Sequence, residues 1–264
     1  MIRTHSSVKK LYVLDGGAIY LDKSLLTRGI DQGKRIKVPV PMFLVVTDYG
    51  NILIDTGMNP EVIENPKQAW GEEVVRVMPP EMREENRVEN QLQLIGLAIK
   101  DIKYVVNSHL HLDHAGGNRF FPQAEHIVQK AEFRFARYPD NWYSNVYIHK
   151  DLDLSLNWRL IEGDTELVPG VRLILTNGHS PGHQSTVLYD IPHIGTVILS
   201  HDAIYMRENI EQKLPPGICW NGDLAVRSMH RITNLAHVEN AEIIVGHDLK
   251  YWKTLSLAPN PYSL

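Results

Sequence analysis

The chain has 264 residues, of which 43% are hydrophobic and 22% charged, and it carries a formal net charge of −4 at pH 7. This composition is typical of a globular protein that buries a substantial core. The slight acidity argues against a nucleic-acid-binding surface, and no apolar run approaches the ~18 residues that span a bilayer.

The first part of the chain predicts strands, a loop and a helix. Alternating apolar residues indicate the strands, which cover residues 11–14, 38–47 and 51–54. Residues 21–37 are polar and irregular and contain two glycines, so we predict a long surface loop, a kind of segment that is often functional. Residues 85–99 carry apolar side chains at helical spacing and predict an amphipathic helix.

The second part alternates between the same two kinds of element. Strands are predicted at 103–107, 171–176, 185–190, 195–200 and 242–246, a strand followed by a helix at 124–137, and a helix at 223–238. Residues 138–160 are predicted to form an insertion near the candidate ligand loops described below, and we expect its aromatic residues Trp142, Tyr143, Tyr147 and Trp158 in the core. The pattern alone indicates a mixed α and β protein.

One short stretch concentrates candidate metal ligands. Residues 108–118 read SHLHLDHAGGN and contain His109, His111, Asp113 and His114. Imidazole nitrogens and carboxylate oxygens are the donors that suit zinc and similar divalent ions. His109 and His111 are two positions apart and point the same way on an extended segment, whereas Asp113 and His114 can turn toward a second point. The spacing therefore favours a two-metal site.

Three further stretches supply more ligands of the same type. They are GHSPGHQ with His179 and His183, SHDAIY with His201 and Asp202, and GHD with His247. Each follows an apolar, β-branched run that predicts a buried strand. The candidate ligands therefore lie where strands end and loops begin, a place where a rigid scaffold can hold a reactive site.

The motifs HLHLDH, PGH, an Asp after a strand and a C-terminal GH occur in the order found in the metallo-β-lactamase superfamily, which the chain resembles from ILIDTG at 52–57 to GHD at 246–248. The resemblance implies an α/β protein, a four-layer αββα sandwich, in a single domain over residues 1–264. It also implies two metal sites. One would use His109, His111 and His183, the other Asp113, His114 and His247, and Asp202 would bridge them.

The closer similarity is to the N-acyl-homoserine lactone lactonases, through GHSPGHQS, the final GHD and Tyr205 three residues after Asp202. It implies a quorum-quenching hydrolase that opens the lactone ring by attack of a metal-bridging hydroxide. Tyr205 would donate a hydrogen bond to the substrate carbonyl, although a core aromatic is the alternative for this residue. Asp113 would pass a proton to the leaving alkoxide.

The resemblance further implies two divalent ions per chain, of which zinc is expected first and iron, cobalt or manganese are alternatives. It also implies a homodimer that acts on a small-molecule lactone without nucleic-acid or membrane partners. The single cysteine, Cys219, excludes an intrachain disulfide, and the N-terminus lacks the apolar stretch of a secretory signal. We therefore expect a cytoplasmic protein.

Residues around the predicted ligands receive supporting roles. Asp55 is expected to orient the metal loop, and His179 and His201 are expected to support neighbouring ligands. Gly116 and Gly117 would allow a tight turn after that loop. The acyl-chain pocket is assigned to Trp70 and Leu112.

Other functions remain as alternatives. The first is a metal-dependent thioesterase or esterase of the glyoxalase II type, which is disfavoured because the chain ends at SLAPNPYSL soon after GHD. A β-lactamase is disfavoured because Cys219 lies outside every motif and no export signal is visible. A non-catalytic binding protein with a relic site is also disfavoured, since all ligand positions are filled.

Overall fold

Two β-sheets lie face to face in the computed structural model, which describes residues 6–141 and 144–263. The first sheet contains β1 Val8–Asp22, β2 Arg35–Thr47, β3 Gly50–Ile54, β4 Pro80–Glu81, β5 Ile102–Val106, β6 Glu125–Gln129 and β7 Asn157–Ile161. Its strand order is β4-β1-β2-β3-β5-β6-β7. The strands from β4 to β3 pair antiparallel, whereas β3, β5, β6 and β7 run parallel.

The second sheet contains β8 Thr165–Val168, β9 Val171–Leu175, β10 Gln184–Ile191, β11 Gly195–His201 and β12 Glu242–Val245. Its strand order is β12-β11-β10-β9-β8. The pairs from β8 to β11 are antiparallel, and β11 and β12 are parallel. The parallel pair matters for function because it brings the carboxyl ends of two strands to the same edge.

Helices cover the outer faces of the two sheets. The helices of the described residues are α1 Glu61–Glu64, α2 Pro66–Trp70, α3 Glu72–Val77, α4 Val88–Leu94, α5 Lys130–Arg137, α6 Arg207–Glu211, α7 Gly222–Glu239 and α8 Leu249–Trp252. Leu92 of α4 packs against the first sheet, and Ile232 of α7 packs against the second. The predicted four-layer αββα arrangement is therefore confirmed.

The central core lies between the sheets. Phe43 and Val106 of the first sheet belong to the same buried cluster as Leu188 and Leu199 of the second. Most of β2 is buried on both faces, which explains its long unbroken apolar run. Within residues 6–141 and 144–263, no helix combines the length and apolar character that a bilayer crossing requires.

The N-terminal hairpin differs from its prediction. β1 extends beyond the predicted strand at 11–14 and runs through Gly16 and Gly17, because the two glycines form a bulge between Asp15 and Ala18. A side chain at Gly16 would place Cβ 2.7 Å from the carbonyl oxygen of Val40. The predicted loop at 21–37 is correspondingly shorter, since strand residues occupy both of its ends.

The predicted helix at 85–99 is also shorter than expected. α4 ends at Leu94, and Gly96 follows in a left-handed conformation at φ +75°. The amide of Leu97 then donates to the carbonyl of Leu92, which satisfies a helix-end carbonyl. Leu97 and Ile99 still pack against the core, so their helical spacing reflects burial rather than a continuous helix.

The remaining strands and helices predicted for the second part lie close to their predicted positions. The insertion predicted at 138–160 differs, because its end is part of a strand. Residues 157–160, at the end of the predicted insertion, belong to the edge strand β7. Tyr147 is buried as expected, and Trp158 packs partly buried against the same cluster. Trp142 and Tyr143 lie outside the described residues.

Candidate metal centre

Parallel strand pairs bring the predicted ligand loops together. The carboxyl ends of β3 and β5 lie side by side, so Asp55 after β3 meets the loop 107–118 after β5. β11 and β12 in turn set Asp202 beside His247. The loop between β9 and β10 delivers His179. Ends of strands from both sheets therefore meet at one buried centre.

The first group of donor atoms belongs to His109, His111 and His179, which are buried and place their donor atoms within 4.8 Å of one another. Nε2 of His179 is 3.1 Å from Nε2 of His109 and 2.9 Å from Nδ1 of His111. Burial lowers the pKa of all three imidazoles, which favours their neutral form. Three neutral ring nitrogens that converge in this way suit a zinc-type ion.

The second group consists of Asp113, His114 and His247, again with donor atoms within 4.8 Å of one another. Oδ2 of Asp113 is 3.5 Å from Nε2 of His114 and 3.7 Å from Nε2 of His247. Burial opposes protonation of His114, but the surrounding carboxylates raise its pKa well above the ordinary value. The same opposition holds for His247, whose pKa is also raised. These imidazoles therefore face strong negative charge that a cation would neutralise.

Asp202 lies between the two groups. Its Oδ1 is 3.3 Å from Nε2 of His114 and 3.1 Å from Nε2 of His247. Its Oδ2 is 3.4 Å from Nε2 of His179 and 3.8 Å from Nε2 of His109. Burial would raise the pKa of Asp202, but the neighbouring imidazoles hold it well below its usual range. One carboxylate oxygen therefore faces each group, and the bridging role of Asp202 stays a prediction.

His183 does not occupy the predicted position. Its Nδ1 lies 3.0 Å from the Thr176 hydroxyl, and its Nε2 accepts the backbone N–H of Asp202 at 3.1 Å. The backbone of Thr176 pairs with that of His183 and closes the loop, so His179 at the loop tip reaches the centre instead. Among the described residues His183 joins no group of donor atoms. The geometry thus replaces His183 with His179 in the first group.

Asp55 supports the second group, as the sequence predicts. Its Oδ2 lies 2.8 Å from Nδ1 of His114, and it accepts the backbone N–H and the hydroxyl of Ser108 at 2.7 Å each. His201, also given a supporting role, approaches the same oxygen at 3.2 Å. Burial would raise the pKa of Asp55, but His114 and His201 hold it well below its ordinary value. The carboxylate thereby fixes the ring of His114 with Nε2 toward the centre.

The backbone around the metal loop is tightly packed. A side chain at Gly116 would place Cβ 2.1 Å from the amide nitrogen of Asn59, and one at Gly117 would approach the carbonyl oxygen of Thr56 at 2.6 Å. Neither glycine has a positive φ. These glycines therefore permit a close approach of two chain segments rather than the left-handed turn that glycine often supports.

Tyr205 is almost completely buried, and its hydroxyl reaches the centre. The hydroxyl oxygen lies 2.6 Å from Nδ1 of His179 and 3.1 Å from the carbonyl oxygen of Ile218. The aromatic ring belongs to an apolar cluster, so both the predicted functional position and the core alternative describe part of its environment. The hydroxyl contacts the side of His179 that faces away from the other donors.

A small, mainly apolar cavity opens onto the two groups. Donor and hydroxyl side chains form one side of it, namely His111, Asp113, His179, Asp202, Tyr205 and His247. The other walls are apolar and consist of Ile19, Leu21, Leu26, Val38, Met78, Leu112, Val146 and Ile218. Leu112 lines the cavity as expected. Trp70 is not among the lining residues, although it is buried in the same apolar cluster as Leu112.

The chemistry of the centre fits divalent metal ions. Nε2 of His114 and Oδ1 of Asp202 are buried and face each other at 3.3 Å, yet neither forms a hydrogen bond with the described residues. A polar atom left in this state inside a protein is unfavourable unless an ion or another partner satisfies it. Histidine and aspartate donors in two adjoining groups match the preferences of zinc and related ions.

Comparison with known families agrees with this geometry. Residues 35–247 match the family described as the metallo-beta-lactamase superfamily, a span that contains every residue of both donor groups and Asp202. The chain belongs to the metallo-beta-lactamase superfamily.

Similar sequences within this superfamily are lactonases. An N-acyl homoserine lactonase of Bacillus cereus is 36% identical over 253 residues, which cover 96% of this chain and 98% of the relative. The N-acyl homoserine lactonase AiiA of Bacillus thuringiensis subsp. kurstaki is 37% identical with the same coverage. N-acyl homoserine lactonase AttM of Azorhizobium caulinodans is 34% identical over 260 residues, 96% of this chain and 98% of the relative.

Solved structures of lactone-hydrolysing enzymes are also similar to this chain. An N-acyl homoserine lactone hydrolase with the product N-hexanoyl-L-homoserine bound at the catalytic metal centre superimposes with a TM-score of 0.89. It is 37% identical and covers 97% of this chain and 99% of its own. A mutant of B. thuringiensis AiiA with N-decanoyl-L-homoserine bound at the active site has the same TM-score, identity and coverage.

Sequence reasoning missed two features of this metallo-beta-lactamase centre. His179 and His183 are both histidines that follow a glycine in the same motif. Only their other neighbours in the sequence could therefore have indicated which of the two joins the first donor group. Glu132, on α5, had none, although it is buried and bonded to two of the ligand loops. Its partners Leu110 and Ser180 lie far apart along the chain and meet only after folding.

Proposed function

We propose that this protein is a metal-dependent N-acyl homoserine lactonase, a quorum-quenching hydrolase that opens the lactone ring of its substrate. The observation that carries this proposal is the pair of donor groups bridged by Asp202 at the base of an apolar cavity. The lactonases at 36–37% identity over nearly the whole chain support the substrate class.

The proposed centre holds two divalent ions, with zinc as the first choice and iron, cobalt or manganese as alternatives. We assign His109, His111 and His179 to the first ion and Asp113, His114 and His247 to the second, with Asp202 between them. When bound, such ions supply Lewis acidity and lower the pKa of a bound water into the neutral range. The neutral imidazoles of the first group retain lone pairs for this purpose.

The mainly apolar lining of the cavity suits an acylated lactone. Apolar walls such as Met78 and Val146 offer a surface for the acyl chain, which gains free energy by leaving water. The polar lactone ring would then lie against the donor side chains on the opposite wall. This orientation sets the ester carbonyl next to Asp202, Asp113 and Tyr205.

Ring opening adds water across one ester bond. A new bond forms between the water oxygen and the carbonyl carbon, the ring C–O bond breaks, and the departing alkoxide takes a proton. We propose that Asp113, which lines the cavity, passes this proton, and that Tyr205 donates a hydrogen bond to the carbonyl oxygen as negative charge develops. The product carries a free carboxylate and a hydroxyl, so each turnover at neutral pH releases one proton.

That released proton provides the test. Metal-loaded protein should acidify a weakly buffered solution of short- or long-chain N-acyl homoserine lactones. Asp202→Ala should abolish turnover because the two donor groups lose their common carboxylate. Tyr205→Phe should lower kcat by about 100- to 1000-fold, the usual effect of losing a donor to a developing oxyanion.

Assays with both lactones and a thioester distinguish the lactonase from the thioesterase alternative. Turnover of a glutathione thioester with no turnover of any lactone would instead support the glyoxalase II-type thioesterase. If Tyr205→Phe left kcat unchanged, the role of the Tyr205 hydroxyl would be limited to its contact with His179. The homodimer, the single domain and the cytoplasmic location expected from the sequence stay predictions.

A further inference from the structure

Glu132 is a buried carboxylate outside the donor groups, at the third position of α5. Its side chain accepts four hydrogen bonds. Oε1 accepts the backbone N–H of Leu110 at 3.1 Å and the hydroxyl of Tyr147 at 3.0 Å. Oε2 accepts the hydroxyl of Ser180 at 2.6 Å and the backbone N–H of Gly182 at 3.0 Å. Each oxygen is therefore held by one backbone and one side-chain donor.

The partners of Glu132 adjoin the ligands of the first group. Leu110 lies between His109 and His111 in the chain, and Ser180 directly follows His179. Tyr147 presents its ring to that of His111, with ring centroids 4.7 Å apart. One carboxylate is thus connected to the segments that carry all three first-group histidines.

The packing leaves little freedom around this connection. A side chain at Gly182 would place Cβ 2.3 Å from the backbone nitrogen of Glu132, so the loop that carries His179 lies directly on the start of α5. Burial raises the pKa of Glu132, and the four donors oppose that effect because they favour the ionised carboxylate. The ionised form can accept from every partner at once.

We infer that Glu132 is a positioning residue that holds His109, His111 and His179 in ligand geometry by joining the two loops that carry them. This inference rests on the metal centre of the proposed function. Asp55 acts on the second group by direct contact with His114, whereas Glu132 acts on the first group through the loop backbone and Tyr147.

An isosteric substitution tests the inference. In Glu132→Gln, an NH2 group replaces one of the two carboxylate oxygens, so the side chain retains one acceptor oxygen. The NH2 group must then face the backbone N–H of either Leu110 or Gly182, from which it cannot accept a hydrogen bond. One loop then loses its hydrogen bond. Chelator competition with zinc should show one ion held about 10- to 100-fold more weakly, the usual effect of losing a partner that orients a ligand, and the other ion held as in the parent protein.

Single-site backgrounds identify the affected ion. His247→Ala removes a ligand of the second group and leaves the first intact, whereas His179→Ala does the reverse. Adding Glu132→Gln should weaken zinc binding in the His247→Ala protein and leave it unchanged in the His179→Ala protein. Equal weakening in both backgrounds, or none in either, would overturn the inference.

Two further variants provide a control and a second test. Asp151→Asn is a matched change at another buried carboxylate, one that accepts from Asn59 and not from a ligand loop, and it should leave both affinities unchanged. Ser180→Ala removes a single donor and should weaken the same ion as Glu132→Gln, which keeps the test available if the glutamine variant does not fold. A parent protein that binds no zinc would contradict the proposed function itself, whereas a parent that binds two ions and an unaffected Glu132→Gln would contradict this inference alone.

Discussion

The contrast between His179 and His183 shows how two residues of the same type in one motif acquire different roles. His179 directs Nε2 at His109 and His111, while both ring nitrogens of His183 contact Thr176 or the backbone of Asp202. A metal ligand needs a lone pair that no protein donor occupies. The surroundings of each ring, rather than the residue type, therefore distinguish a candidate ligand from a structural histidine.

This difference yields a prediction for a matched pair of variants. His179→Ala should leave one ion bound tightly and release the other, because the first group retains only two histidines. His183→Ala should retain both ions and lower the free energy of unfolding by about 1–3 kcal/mol, since it leaves buried hydrogen-bonding groups without a partner. Zinc stoichiometry after chelation and urea denaturation would measure both effects, and the opposite pattern would restore His183 as the ligand.

At the scale of elements, strand ends and close backbone contacts determine where the ligands lie. Parallel pairing of β3 with β5 and of β11 with β12 places four ligand-bearing or supporting loops at one edge of the sandwich. The metal loop then packs on the segment around Asn59, where Gly116 leaves no room for a side chain. Ligand geometry consequently depends on backbone contacts as well as on the ligands themselves.

A pair of glycine variants tests this dependence. Gly116→Ala should lower zinc affinity and stability together, because its Cβ would lie 2.1 Å from the backbone of Asn59 and force the metal loop to shift. Gly96→Ala is the control. It has φ +75° with open space around it, so it should cost about 1–2 kcal/mol of stability for the left-handed conformation and leave zinc binding unchanged. Equal zinc affinity in both variants would contradict this account of the metal loop.

At the scale of the whole molecule, the proposed ions would join the two sheets. Loops of the first sheet contribute His109, His111, Asp113 and His114, and loops of the second contribute His179, Asp202 and His247. These residues meet only in the folded chain, so an ion that binds them stabilises the folded state over the unfolded one.

Metal removal should therefore destabilise the protein measurably. Loaded protein at free zinc about 1000-fold above the dissociation constant should gain about 4 kcal/mol for each such site relative to the chelated form. Denaturant unfolding of the two forms measures the difference, and His247→Ala should show a smaller gain because its second group is incomplete. The same unfolding midpoint with and without zinc would argue against an ion shared by the two sheets.

The sequence by itself determined the order of the main strands and helices and the chemistry of the centre. A long apolar run such as that of β2 specifies a buried strand because its side chains must leave water. Histidines and aspartates at strand ends supply metal donors whatever the exact conformation of their loops. Asp202 lies between the two donor groups and Asp55 contacts His114, while their roles as bridge and support stay predictions.

Only the tertiary structure decided which residues complete the site. The direction of His179 depends on how its loop closes, the role of Glu132 depends on partners far apart in the chain, and the cavity walls come from several separate segments. The apolar periodicity of residues such as Ile19 and Val38 is the same for a core side chain and a cavity wall. These distinctions arise from long-range packing, which a local pattern of residue types does not encode.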